Sequence, residues 1–81
     1  MCKKEITITD ISKKNIVELI QLACLFNSDI FLEYMHYRIN AKSIMGVMAF
    51  TPAKGMSINI ITTGNDEHEA LYAVENFLTQ R

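Results

Sequence analysis

The segment "KSIMGVMAF", residues 42–50, places a serine directly ahead of Ile44, Met45, Val47, Met48 and Phe50. A serine in that position is a helix N-cap signal, because its side-chain oxygen can accept a first-turn N–H. The same hydroxyl, if exposed, can accept a phosphoryl group. A phosphate adds about −1.5 to −2 charges. A helix N-terminus favours such a charge by about 0.3–1 kcal/mol, so the fold would survive it. The surface potential beside the apolar residues would invert, favouring partners with Arg or Lys and opposing acidic ones. On a two-turn helix Ile44, Val47 and Met48 form one stripe and Met45 points elsewhere. Gly46 costs helix stability and flattens one side. So short a helix cannot bury every face, so some of Ile44, Met45 and Met48 are expected at the surface. Methionine is flexible and polarizable and suits a docking surface. At this point docking and simple under-packing both remain open, as do a switch and a mere cap at Ser43.

Other residues with chemical potential are few. His36 falls in a predicted hairpin turn and His68 in the first turn of the last helix, and both read as exposed bystanders. Cys24 lies in a helical pattern and reads as a small buried apolar residue. Cys2 sits at an expected frayed terminus. Two cysteines make no disulfide framework, and neither a Cys-x-x-Cys nor a His/Cys cluster with zinc spacing occurs. No metal or cofactor is expected. The pairs Lys3-Lys4 and Lys13-Lys14 are too short for basic arms and read as solvated charge.

Bulk properties narrow the class. The chain has 81 residues and a formal net charge of −1, which predicts one domain over residues 1–81 without a nucleic-acid or acidic-membrane footprint. A domain of this size buries only about 60% of its unfolded surface and has little room for a deep catalytic cavity. An enzyme is therefore not expected. No window holds the roughly 20 apolar residues that span a bilayer, and "MCKKEITITD" lacks the apolar core of a signal peptide. A cytoplasmic location is the expectation.

The elements that must carry these residues follow from periodicity. "EITITD" alternates, with Ile6 and Ile8 opposite Thr7 and Thr9. "SDIFLEY" alternates too, with Ile30, Leu32 and Tyr34 opposite Phe31 and Glu33. "YRIN" reads as a partner strand after a tight turn at Met35-His36, although neither is a favoured turn residue. "SINIITT" sets Ile58 and Ile60 against Ser57, Asn59 and Ile61. Ile16, Leu19, Ile20, Ala23 and Phe26 recur at helical spacing, as do Ala70, Leu71, Val74, Phe77 and Leu78. Asp66 is the expected N-cap of the last helix, with Glu67 and Glu69 suited to its positive end. The short helix after Ser43 ends at "TPAKG", where Pro52 and Gly55 break it. The order strand, helix, strand, strand, helix, strand, helix predicts an α+β fold. It should be an antiparallel sheet with helices on one side and water on the other.

"FNSDIFLEY", "INAKSIMGVM" and "GNDEHEAL…FL" resemble the HPr-like phosphocarrier family of the sugar phosphotransferase system, from about Gln21 onward. The resemblance implies an open-faced two-layer sandwich whose four-stranded sheet has the order 1-4-2-3 under three helices. In that family a histidine at the start of the first helix takes phosphate from enzyme I and passes it on. An arginine two residues later steadies the phosphate, and helix N–H groups receive it. Here an ungapped count puts Ser12 at the histidine position, Lys14 at the arginine and Asn15 at the proline. No histidine occurs before His36. A serine phosphoester is too stable to pass phosphate onward, so the carrier position is degenerate. Ser43 matches the serine modified by HPr kinase/phosphorylase. Ile44, Met45 and Met48 match the apolar residues that dock the kinase, enzyme I and the catabolite control repressor. Repressor contacts in the family also include the arginine, for which Lys14 is a weaker fork. The resemblance implies a non-transferring regulatory, protein-binding module. The alternatives are a phosphocarrier with an atypical acceptor, and a fold recruited to unrelated docking with Ser43 only a cap.

Overall fold

The computed structural model describes residues 1–9, 13–50 and 52–79, the side chains of 13–15 excepted. The chain runs β1 (Cys2–Thr7), α1 (Lys13–Ala23), β2 (Asp29–Tyr34), β3 (Tyr37–Asn40), α2 (Ile44–Phe50), β4 (Ser57–Thr63) and α3 (Glu67–Thr79). The four strands form one sheet in the order β1-β4-β2-β3, with every pairing antiparallel. This is the expected α+β open-faced sandwich.

Alternation decides which face of each strand is covered, because successive side chains point to opposite sides. Ile6, Ile30, Leu32, Ile58 and Ile60 turn toward the helices, where Ile16, Leu19, Ala23, Val47, Ala70, Val74 and Leu78 meet them. Phe26 lies beyond the last turn of α1 yet still packs on this core. Ile8 is also buried, although β1 ends at Thr7. Past that point the backbone is held by Ile8 N to Met56 O at 2.9 Å, Gly55 N to Ile8 O at 2.7 Å and Thr9 N to Leu78 O at 3.1 Å. Gly55 takes φ +92° in this connection, a conformation that favours glycine.

Three expectations need correction. The first strand begins at Cys2 rather than Glu5, because Cys2 pairs with Thr62 and Lys3 with Ile61 on β4. Cys2 is thus part of the sheet edge and half-buried, not frayed. Cys24 is exposed, not buried. The helix ends at Ala23, so the stripe that buries Ile16 and Leu19 no longer dictates where the next residue points.

The open face of the sheet is also less uniformly wet than alternation alone suggests. Ile61 faces away from the helices yet is only 4% exposed. Its cross-strand neighbours are Lys3 and Phe31. Arg38 lies over the Phe31 ring at 4.6 Å, and Lys3 reaches Glu33 at 3.7 Å. Long side chains with apolar stems therefore cover a small apolar island on a polar face.

Candidate functional site

The start of α2 is built from a tight turn. Ala41 is buried, and its N–H donates to Ile30 O at 2.8 Å, anchoring the end of β3 to β2. Asn40 Oδ1 accepts from Lys42 N at 2.9 Å. Asn40 O accepts from Ser43 N at 3.0 Å. Lys42 Nζ donates to Phe26 O at 2.7 Å, tying this turn to the chain just past α1.

Ser43 caps the helix as expected. Its Oγ accepts from Gly46 N at 3.1 Å, and its backbone oxygen accepts from Val47 N at 2.9 Å. The hydroxyl oxygen is engaged by this one N–H, and Ser43 is an exposed residue. Gly46 contributes to this openness, since a Cβ at that position would stand 3.3 Å from Ser43 Oγ.

The residues after Ser43 divide as a two-turn helix demands. Val47 is fully buried. Ile44, Met45 and Met48 are 49%, 80% and 54% exposed. A serine hydroxyl and three large apolar side chains thus share one protruding element. Phe50, on the last turn, packs edge-to-face against Tyr34 with ring centroids 6.1 Å apart. Together with Tyr37, Ala49 and Met56 these rings line a cavity of about 380 Å³.

The degenerate carrier position is less completely described. Ser12 lies outside the described residues, and of Lys14 only the backbone, in the first turn of α1, is described. The two histidines lie elsewhere: His36 in the exposed β2–β3 turn and His68 at the start of α3. The histidine positions are therefore incompatible with a relay imidazole at the head of α1.

Asp66 stands at the N-cap position of α3 as expected, with its side chain turned to partners elsewhere in the chain. The backbone oxygen of Asp66 accepts from Ala70 N at 3.0 Å, but its carboxylate reaches across the molecule. It accepts from Asn27 N at 2.9 Å, from Ser28 N at 2.8 Å and from the Ser28 hydroxyl. The Ser28 hydroxyl, joined by the Asn27 N–H, holds the Asp66 carboxyl below its ordinary value. Glu67 Oε1 accepts from Gly64 N at 3.0 Å, tying the first residue of α3 back to the turn ahead of it. That N–H chiefly lowers the Glu67 carboxyl to about 2. Gly64 sits at φ +151° against Ser28, whose Cα would be 2.7 Å from an added Cβ.

Sequence reasoning found Ser43 and its apolar neighbours from local spacing. It missed the Lys42 latch and the long-range role of Asp66, neither of which leaves a local periodic signal.

A four-stranded antiparallel sheet in this order, three helices on one face and a capped, apolar α2 define the HPr class of small carrier and regulatory proteins. The model for the phosphotransferase-system HPr component phosphorylation site matches residues 3–80, and the chain belongs to this family. Its members are not enzymes. The chain is 46% identical over 59 residues to the HPr-like protein Crh of Halalkalibacterium halodurans, covering 73% of this chain and 70% of that one. The phosphocarrier protein HPr of Bacillus anthracis superposes with a TM-score of 0.92 at 32% identity, covering 96% of each chain. The crystal structure of Crh from Bacillus subtilis, a swapped dimer, gives 0.77 at 34% identity over 90% of this chain and 83% of that one.

Proposed function

We propose that this protein is a non-transferring HPr-like regulatory module whose α2 surface docks partner proteins and whose Ser43 is a phosphorylation target of an HPr kinase/phosphorylase. One observation carries the reading. The element that would recognise partners is intact and exposed, with Ser43, Ile44, Met45 and Met48 together at one helix. The head of α1, by contrast, has no imidazole.

The chemistry separates the two duties. Onward transfer needs phosphate at high potential on a nitrogen, and Ser12 offers only an ester oxygen. Recognition needs shape and charge, which α2 offers. A phosphate on Ser43 would take over the Gly46 N–H and gain from the helix start, within the 0.3–1 kcal/mol range for such a charge. The partners that fit are the kinase, enzyme I and the catabolite control repressor, all reached through Ile44, Met45 and Met48. With Lys14 in place of an arginine, repressor contact is the weaker of these, since Lys cannot make the bidentate fork. Among the described residues no helix is long and apolar enough to cross a membrane. These partners would place the protein's work in the cytoplasm.

Incubation with ATP and HPr kinase, read by mass spectrometry, tests the switch. One phosphoryl group on Ser43 is expected, lost in Ser43→Ala. An unmodified chain beside a fully modified HPr control would leave Ser43 as a cap only.

A further inference from the structure

β1 and α3 bring three metal-ligating side chains together well away in sequence from the α2 surface. Cys2 opens β1, and Glu67 and His68 open α3. Cys2 Sγ lies 3.4 Å from Glu67 Oε2 and 3.3 Å from His68 Nδ1. The three ligand atoms all fall within 4.8 Å of one another. We propose that Cys2, Glu67 and His68 form a binding site for a thiophilic divalent cation of the zinc(II) class, with a fourth position open to water.

Geometry favours this reading. Metal bonds of about 2.3 Å to sulfur and about 2.0–2.2 Å to nitrogen and oxygen separate neighbouring tetrahedral ligands by roughly 3.3–3.6 Å. Both contacts of Cys2 are already near that spacing. His68 is exposed and Cys2 and Glu67 are half-buried, so their side chains can adjust toward that spacing without disturbing the core.

The surroundings hold the ligands in place. Glu67 Oε1 is occupied by Gly64 N–H, which leaves Oε2 directed at Cys2. Thr62 Oγ1 donates to Glu67 O at 2.9 Å, and Thr62 is also the register partner of Cys2. One residue of β4 therefore positions both sides of the cluster. Such outer contacts orient ligands and tune affinity.

The donor set selects the ion. One thiolate, one imidazole and one carboxylate suit zinc(II) or cobalt(II) and not magnesium or calcium, which take oxygen. Binding exchanges a proton for the metal: the Cys2 S–H bond breaks, the sulfur–metal bond forms, and the proton leaves to solvent. The thiolate and the Glu67 carboxylate together neutralise a dication. The positive end of α3 opposes the cation, and Glu67 and Glu69 in that first turn offset it. The Met1 amine, 3.1 Å from Glu67 Oε2, competes for the same oxygen and can swing into solvent. Cys24 lies outside the cluster.

The test is a cobalt(II) titration of the reduced, untagged full chain. Saturation at one equivalent is expected, with an intense sulfur-to-cobalt charge-transfer band and tetrahedral d–d bands that zinc(II) abolishes by displacement. Cys2→Ser should remove the charge-transfer band, and His68→Gln should weaken binding by roughly tenfold or more. Cys24→Ser should leave both unchanged. Circular dichroism checks that each variant is folded. In parallel, zinc-induced amide shifts in the wild-type chain should concentrate at residues 2 and 64–68. Absence of a charge-transfer band, its persistence in Cys2→Ser, its loss in Cys24→Ser, or amide shifts elsewhere would each overturn the proposal.

Discussion

Ser43 serves as cap and as candidate acceptor with the same oxygen, and the two duties can be separated by substitution. Ser43→Ala removes the Gly46 N–H acceptor. It is expected to cost about 1 kcal/mol in urea denaturation, the usual loss for an N-cap. Ser43→Asp keeps an acceptor at the cap and should recover most of that loss. Gly46→Ala separates stability from accessibility. Removing a helix-interior glycine gains up to about 1 kcal/mol. The new methyl group, however, would crowd Ser43 Oγ at 3.3 Å. Unchanged or higher stability with a several-fold slower initial rate of kinase modification is the expected result. An equal rate in both proteins would show that Gly46 does not govern access to the hydroxyl.

Local geometry also sets the tolerance of individual elements. The β2–β3 hairpin turns through Met35 and His36, with Tyr34 facing Tyr37. Met35 takes φ +56° while its side chain is 77% exposed. An L-residue there is strained by about 1–2 kcal/mol, and glycine relieves the strain at some cost in unfolded-chain entropy. Met35→Gly should therefore raise stability by up to about 1 kcal/mol, measured as a shift in the urea midpoint. At the other end of the molecule, the start of α3 is acid-sensitive. Glu67 is lowered from 4.5 to about 2, and Asp66 is lowered in the same sense. A depressed folded-state carboxyl stabilises the fold above its unfolded value and ceases to do so as pH falls through the folded one. Stability should accordingly be level above about pH 5 and decline between 4.5 and about 2. In metal-free Glu67→Gln that decline should be shallower. An unaltered pH profile in the variant would remove Glu67 from the acid response.

The whole molecule was legible in sequence to the extent that its elements have one covered face. Ile6, Ile30, Leu32, Ile58 and Ile60 announced their side by alternation, and Ile16, Leu19, Val74 and Leu78 by helical spacing. The apolar trio beside Ser43 stood out because a two-turn helix has too little buried face to hide it. What escaped was everything decided by long-range pairing. Cys2 and Lys3 carry no apolar alternation of their own, and β4 recruits them. Asp66 occupies an N-cap position whichever way its carboxylate turns, and only the folded chain shows it gripping Asn27 and Ser28. Cys24 sits one residue beyond the last regular turn, where periodicity has no authority. Ile61 is buried on the open face by Phe31 and its covering Arg38, a device that strand alternation does not reveal. The Cys2, Glu67 and His68 cluster spans 66 positions and has no linear motif. The combined picture is a family fold with exposed apolar side chains on α2 and no imidazole where the relay would need one. Incubation with phosphoenolpyruvate and enzyme I, beside an HPr control, addresses that picture at its foundation. No phosphoryl adduct should form on this chain while the control is fully labelled. An acid-labile, base-stable phosphoryl group on it would contradict the non-transferring reading.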